Sequence, residues 1–457
     1  MNNFIKIAAK KIGVDGAIAY SSFSRVFQAF AGVINIFFIA TFLSREEQGF
    51  YYTFGSILAI QVFFELGFTG IMTQYVAHET AYLSLDDNNE YQGPLKYKSR
   101  LTSLVRFCVK WYALIAVLFF VVVNIVGIYY FDKFGQTKET VEWKVPWIIL
   151  SFSTAVKLFQ SPFTAILTGL GRVKEMNKIT MYQNMVIHIS IWILLACGFK
   201  LYVVGVASVL GILTWFLFVF STSLWKVLVN LFKNNVTERI SYMKEIFPYQ
   251  WKIALSWISG YFIFQLFNPV LFATDGPVVA GQMGMTLSVL SAIQALSMGW
   301  QNTKIPRYSV LIEKKQYEEL DKLFNITLKQ MIFVCGSLLV IMFCGVCFLR
   351  LTGITIGGSI LGDRFLDYIP LLLMIIPVFL QSFVSSWATY LRCHKKEPFL
   401  VNSICGGIAC LASTLILGNL YGVYGVTIGY CIIQILLFPW GYHIYQTKKV
   451  QWHHNNS

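Results

Sequence analysis

Long apolar runs alternate with short polar segments along the chain, and the first run is polar on one face only. Residues 20–43 are 24 mostly apolar residues, which at about 1.5 Å per residue form a helix long enough to cross a bilayer. The polar and small side chains within this run recur at spacings of three and four residues, which places them on one helix face. These side chains are Ser21, Arg25, Gln28, Gly32 and Asn35.

The second apolar run repeats this arrangement. It covers residues 50–77, follows a polar segment at residues 44–49 that we interpret as a turn, and carries Gln61, Glu65 and Thr69 four residues apart. An ionisable side chain within a span costs roughly 2.5–3.5 kcal/mol on insertion scales, so it normally faces protein or a water-filled space. The two runs therefore predict a helical hairpin that forms one wall of a polar cavity.

Ten further apolar segments extend this pattern to the end of the chain and predict an all-α integral membrane protein of about twelve transmembrane helices. Before the first run, residues 1–19 intersperse lysines with apolar residues, which predicts an interfacial helix. The ten segments lie at about residues 107–130, 146–170, 180–199, 203–225, 249–273, 278–300, 326–349, 366–391, 399–420 and 423–444.

The net charge of +14 needs an explanation, because a basic protein can bind nucleic acid. If the N-terminus is cytoplasmic, 27 of the 36 Lys and Arg residues fall in inner segments and 7 in outer segments, with Arg25 and Lys157 inside spans. This asymmetry follows the positive-inside rule. We therefore predict that both termini are cytoplasmic and that the protein does not bind nucleic acid.

The two halves of the chain resemble each other. Residues 201–207 recur as residues 420–427 with one inserted residue, and residues 161–168 are echoed by residues 385–392. Two repeats of six helices have the same orientation in the membrane, so a transport site is expected between them. This predicts an N-terminal lobe at residues 20–226, a cytoplasmic linker at 227–247, a C-terminal lobe at 248–446 and a cytoplasmic tail at 447–457.

Short motifs in this context resemble those of the polysaccharide and O-antigen type flippases. The motifs are residues 42–51 between the first two spans, residues 65–68, and the glycine-rich segments that begin at Tyr202 and Tyr421. That family belongs to the MOP superfamily, which also contains the MATE antiporters and the lipid II flippases. The resemblance implies a MATE-like, V-shaped bundle of two lobes with a central cavity and alternating access.

The function that the resemblance implies is export of an undecaprenyl-diphosphate-linked oligosaccharide across the bacterial inner membrane, for surface polysaccharide biosynthesis. Such a protein is a transporter without catalytic residues, bound metal or cofactor. Its expected partners are the lipid-linked oligosaccharide, membrane lipids, and a polysaccharide polymerase and glycosyltransferases of the same process.

Two cations are candidates for binding the diphosphate of that substrate. Arg25 could bind it with two parallel hydrogen bonds, with Gln28 and Asn35 on the same face, or it could extend to the lipid headgroups. Lys157, midway along the fourth predicted span, could serve the same purpose, or it could form a structural ion pair with Glu65.

Three other polar side chains complete the candidate set. Glu65 either couples transport to a proton or cation gradient or forms the structural ion pair with Lys157. Gln381 is the repeat counterpart of Lys157 and provides a neutral contact to substrate in the C-terminal half. For His188, in the fifth predicted span, we predict a hydrogen-bonded packing role.

Three alternatives remain. A MATE-type multidrug or cation antiporter has the same fold, but its first span would be expected to carry acidic side chains, and this one carries Arg25. A membrane polysaccharide polymerase or glycosyltransferase would need a larger outer loop with spaced carboxylates. A receptor or scaffold would not explain a duplicated bundle with polar interior faces.

Overall fold

The computed structural model describes residues 16–86, 89–136, 141–394 and 396–454. Residues 1–15 of the predicted interfacial helix and the last three residues of the predicted tail lie outside the described residues. Among the described residues, one compact unit comprises residues 16–35, Ile60–Asp132 and Glu142–Trp257. The other comprises Ile36–Ala59, the described residues of Lys133–Val141 and the chain from Ile258 onward. The segment Ile36–Ala59 thus packs within the unit that contains the C-terminal half.

The described chain is almost entirely helical. Within it, the first half contains helices α1 (Gly16–Phe42), α2 (Arg45–Leu58), α3 (Gln61–Glu65), α4 (Phe68–Thr80), α5 (Leu95–Phe134), α6 (Lys144–Gly169), α7 (Val173–Ala196), α8 (Tyr202–Phe220) and α9 (Ser223–Lys233). The second half contains α10 (Phe247–Phe264), α11 (Phe267–Thr274), α12 (Pro277–Glu313), α13 (Tyr317–Thr352), α14 (Tyr368–Arg392) and α15 (Leu400–His454).

Short elements connect some of these helices. The predicted linker at residues 227–247 covers the last part of α9 and a π-helical turn, Tyr242–Ile246. A hairpin of β1 (Ser84–Leu85) and β2 (Tyr91–Gln92) precedes α5. A second hairpin of β3 (Thr355–Ile356) and β4 (Ser359–Ile360), followed by a 3-10 turn at Leu361–Arg364, joins α13 to α14.

The helix lengths confirm a protein that crosses the membrane several times. Over the described ranges, nine helices are long and apolar enough to span a bilayer, or ten if the bent pair Arg45–Glu65 and Phe68–Thr80 is one span. The helix α15 contains two helices that meet at Gly422, and α6 covers the fourth predicted span with 26 residues. The helices are therefore compatible with the twelve predicted spans.

The second predicted span is not the continuous helix that its apolar pattern indicated. It breaks at Leu66 and Gly67, whose φ angles are 50° and 66°, and the segments on either side are bent by 41°. A side chain at Gly67 would meet a methyl group of Ile253 at 2.5 Å, so the left-handed backbone and the close packing both require glycine. Because of this break, Thr69 does not continue the helix face of Gln61 and Glu65.

The segment at residues 44–49, which the sequence presented as a polar turn, is the start of α2. The Ser44 hydroxyl accepts a hydrogen bond from the Glu47 N–H at 3.1 Å, and the Glu47 carboxylate accepts one from the Ser44 N–H at 2.9 Å. This reciprocal capping box satisfies backbone donors that a helix start leaves free. The prediction of a turn was wrong because serine followed three residues later by glutamate is also the signature of a helix start.

The last two predicted spans meet at Gly422, where contact with the Asp275 side chain leaves room only for glycine. Gly422 has φ 54° and ψ −135°, and a Cβ atom there would overlap the carboxylate of Asp275, which accepts a backbone hydrogen bond from Val423. Asp275 therefore holds the junction of the two helices, in addition to the turn role that its loop sequence indicated.

Substitution of Gly422 should test this junction. We expect Gly422→Ala to lower the free energy of unfolding by about 1–3 kcal/mol, because it forces a strained backbone angle and displaces Asp275. Thermal unfolding of the purified protein in detergent measures the change. Gly345→Ala is the matched control, since no atom lies within 4 Å of a Cβ there. An equal effect of both substitutions would contradict this account.

Candidate functional site

The exposed cation of α1 lies beside a hydrogen-bonded polar group. Arg25 is exposed, whereas its neighbour Ser24 is buried at 5% exposure. The Ser24 hydroxyl accepts hydrogen bonds from the amides of Gln28, at 3.1 Å, and of Asn184 in α7, at 3.2 Å. These contacts anchor α1 to α7 through the residues next to Arg25 and leave the guanidinium accessible.

The side chain of Asn35 has partners within the same unit. Its Nδ2 lies 3.0 Å from Nδ1 of His188, and its Oδ1 accepts a hydrogen bond from Nε1 of Trp192 at 2.6 Å. His188 therefore has the hydrogen-bonded packing role that we predicted. Because both ends of the Asn35 amide are engaged, this residue positions α1 against α7 and is less suited to direct substrate contact than Arg25.

Lys157 is the candidate cation of α6 in this unit. It is exposed on α6, and the hydroxyls on either side of it, Ser153 and Ser161, donate hydrogen bonds to carbonyls of their own helix, at 2.8 and 2.9 Å. These hydroxyls therefore do not hold the ammonium group. In the described part of the chain, Lys157 forms no ion pair.

The structure does not bring Glu65 and Lys157 together in an ion pair. Glu65 ends the short helix α3 next to the Leu66–Gly67 break and is partly buried. It interacts electrostatically with the Tyr112 phenol of α5. Among the described side chains Glu65 has no basic partner. The ion pair with Lys157 that the structural hypothesis requires is therefore not formed.

Gln381 lines a partly open cavity within the other unit. The cavity has a volume of about 430 Å³, which is within the range of small-molecule pockets. Three other carboxamides line it that were not predicted from the sequence, although amides within apolar spans are a signal for polar contacts. Those carboxamides are Gln294 of α12 and Asn402 and Gln434 of α15.

Chemically, the two units offer different groups. The faces of α1 and α6 present a guanidinium and an ammonium group, which suit an anion such as a phosphate. The cavity around Gln381 presents neutral amides and hydroxyls, which suit hydrogen-bonding groups without charge.

Comparison with solved structures identifies the fold. The chain superposes with a TM-score of 0.61 on an inward-facing multidrug resistance MATE family transporter of the MOP superfamily, at 12% identity over 94% of this chain and 100% of that one. It also matches the lipid II flippase MurJ in an inward closed conformation, with a TM-score of 0.56 and 15% identity over 92% and 86% of the two chains. The MATE multidrug transporter DinF-BH gives a TM-score of 0.57 and 14% identity, over 93% and 94%.

These likenesses confirm the MATE-like fold that the sequence predicted. No protein-family model and no curated protein matches the sequence. At such low identities the likeness shows the fold alone, and it is shared by multidrug transporters and a lipid II flippase. The substrate must therefore be argued from the residues of this chain.

Proposed function

We propose that the protein is a flippase for an undecaprenyl-diphosphate-linked oligosaccharide. In this proposal it moves the lipid across the bacterial inner membrane by alternating access, as a step in surface polysaccharide biosynthesis. Both termini are cytoplasmic, as the distribution of Lys and Arg favours. It acts beside glycosyltransferases that build the oligosaccharide and a polymerase that consumes it.

The observation that carries the proposal is the pair of cations that lie inside predicted spans of one unit. Arg25 and Lys157 are both exposed, and neither forms an ion pair with a described carboxylate. A cation within a span is costly, which favours a functional role over an incidental one. A diphosphate would supply the negatively charged partner that neither side chain has among the described carboxylates. Arg25 can bind it with two parallel hydrogen bonds. We propose that Gln28 and Gln381 make neutral contacts to the substrate, and that Asn35 holds α1 in place against α7.

A MATE-type antiporter is the second candidate, favoured by a different observation. Glu65 is a carboxylate without a basic partner among the described side chains, at the break of a membrane helix, and such a group can take up and release a proton. The flippase hypothesis accommodates Glu65 as a coupling group. The antiporter hypothesis does not explain the two cations inside predicted spans.

Transport in proteoliposomes tests the proposal. We expect the intact protein to move a labelled undecaprenyl-diphosphate oligosaccharide, and Arg25→Ala and Lys157→Ala each to slow this movement by about tenfold or more, since a charged hydrogen bond to phosphate is lost. Lys174→Ala is the matched control, because Lys174 is an exposed lysine near the start of α7. Arg25→Lys should recover part of the rate, because it retains the charge but not the paired geometry.

The outcomes separate the candidate functions. If either alanine variant, folded and reconstituted to the same density, loses movement while Lys174→Ala retains it, the cationic site is supported. If the intact protein moves no lipid but exchanges a small cationic compound against protons or sodium, the antiporter replaces the flippase. Lipid movement that neither alanine variant changes would contradict the assignment of Arg25 and Lys157.

A further inference from the structure

Four carboxamide side chains converge on the cavity of about 430 Å³ within the unit containing α12–α15. Gln294 is on α12, Gln381 is on α14, and Asn402 and Gln434 are on the two helices of α15. The four therefore come from four separate helical segments of one compact unit. The cavity is a property of that unit by itself.

The protein leaves these amides unsatisfied. Among the described residues, none of the four makes a side-chain hydrogen bond. Asn402 and Gln434 are buried, at 7% and 6% exposure, and the Nδ2 atom of Asn402 has no partner. A polar group in a membrane interior without a hydrogen bond is costly. One buried donor without a partner, with three further carboxamides around the same cavity that bond to no described protein group, indicates a site whose partners come from a ligand.

Hydroxyls and apolar side chains complete the lining. Ser291, Ser385, Thr389 and Ser403 supply hydroxyls, and Ile263, Phe399 and Leu437 supply apolar surface. The lining is thus divided about evenly between polar and apolar groups, which suits a ligand that presents both hydrogen-bonding groups and apolar faces.

The charge of the lining favours a neutral ligand. No Asp or Glu lines the cavity among the described residues, and carboxylates are the usual ligands of bound hard cations. Arg392 is the one charged lining residue of the described chain, and Glu397 holds it through two hydrogen bonds of 2.6 and 3.0 Å. An anion would therefore compete with an existing ion pair.

We propose that this cavity binds a neutral, hydroxyl-rich group, namely a sugar ring. A carboxamide presents both a donor and an acceptor, and a sugar hydroxyl is also both, so the four amides match such a ligand whichever way each is flipped. Phe399, Ile263 and Leu437 can contact the apolar faces of the ring. The proposal rests on the proposed function: the saccharide of the lipid-linked substrate occupies the cavity.

Binding measurements with two ligands isolate the sugar contact. The probes are undecaprenyl diphosphate alone and the same lipid carrying neutral oligosaccharides that contain hexoses or N-acetylhexosamines, titrated into the protein in nanodiscs. We expect Asn402→Leu to weaken binding of at least one glycosylated lipid by about tenfold, since a buried hydrogen bond is lost. Binding of the lipid without sugar should not change.

Matched variants control for the substitution itself. Asn419→Leu makes the same change on α15 at an exposed asparagine whose amide donates to the carbonyl of Leu415 on its own helix. It should leave both affinities unchanged. Gln434→Met tests the cavity through a second residue, in case Asn402→Leu fails to fold, and it should also weaken only the glycosylated ligand.

The results distinguish failure of this site from failure of the proposed function. Equal loss of affinity for both ligands, or no loss for any glycosylated lipid of the panel, overturns the sugar site and leaves a cavity occupied by water. If the intact protein moves the lipid while the cavity variants bind glycosylated lipid normally, the flippase proposal is supported and the sugar site is contradicted. If sugar-dependent binding is lost in the variants but the intact protein moves no lipid, the sugar site is supported and the flippase proposal is contradicted.

Discussion

Arg100→Ala is expected to lower the free energy of unfolding by about 3–5 kcal/mol, because it leaves two partly or fully buried carboxylates without their cation. Nε of Arg100 lies 3.0 Å from Glu79, which is 4% exposed, and Nη2 lies 2.7 Å from Glu245. The three side chains join α4, α5 and the π-helical turn within one unit. Thermal or denaturant unfolding in detergent, followed by tryptophan fluorescence, measures the loss.

Two variants separate the buried network from the general loss of an arginine. Arg307→Ala removes a pair with Glu319 whose side chains are 62% and 48% exposed, and it should cost less than about 1 kcal/mol. The double variant Arg100→Ala with Glu79→Gln should recover part of the stability, because the most buried charge is then neutral. If Arg100→Ala costs no more than Arg307→Ala, the network does not stabilise the fold.

The same network predicts a dependence on pH. Burial opposes ionisation of Glu245, but the Ser241 N–H and the Arg100 guanidinium outweigh it and hold the pKa of that carboxyl below its usual value. A carboxyl whose pKa is lowered on folding stabilises the protein above its unfolded pKa, and that stabilisation is lost as the pH falls through the folded value. The difference in stability between the intact protein and Arg100→Ala should therefore shrink below about pH 4.

The sequence predicted the membrane helices well, because each needs only a long apolar run. It did not predict the interruption at Leu66 and Gly67, where hydropathy stays high while the backbone turns left-handed. The pattern along the chain records which residues avoid water. It does not record where packing against Ile253 requires a helix to bend.

The polar residues of the candidate site were predictable only in part. Arg25, Lys157 and Glu65 stand out because a charge in an apolar run is rare. The partners of Asn35 were not predictable, since His188 and Trp192 lie more than 150 positions away along the chain. The convergence of Gln294, Asn402 and Gln434 on Gln381 is likewise a consequence of tertiary packing.

The environment of charged residues in the loops was likewise not predictable from the sequence. Arg364 counts as one of the few outer charges under the positive-inside rule, yet its side chain is only 1% exposed. Burial and, to a smaller extent, nearby Arg45 lower its pKa to about 10, against the opposing effect of Glu47. Its guanidinium donates to Gln48 at 3.1 Å and to Ser359 at 2.9 Å. A count of charges cannot show that such a cation is a packing residue.

Gln48→Leu should therefore be among the most damaging neutral substitutions in the protein, with an expected loss of about 2–4 kcal/mol in the free energy of unfolding. The Gln48 amide accepts from Arg364 and donates to the carbonyls of Gly281, at 2.8 Å, and of Arg364, at 3.1 Å. Leucine has a similar volume but makes none of these bonds, so the buried guanidinium loses an acceptor and two carbonyls lose a donor. Unfolding of the purified variant in detergent measures the cost.

An exposed control and a variant that carries a carboxylate show which contacts of Gln48 account for the loss. Gln451→Leu alters an exposed glutamine near the end of α15, whose partner Lys448 is also at the surface, and it should change stability by less than about 0.5 kcal/mol. Gln48→Glu should stabilise the protein relative to Gln48→Leu, because a carboxylate can accept from Arg364 even though it cannot donate to the carbonyls. If Gln48→Leu and Gln48→Glu were equally destabilised, the carbonyl contacts of Gln48, and not its bond to the buried arginine, would account for the loss.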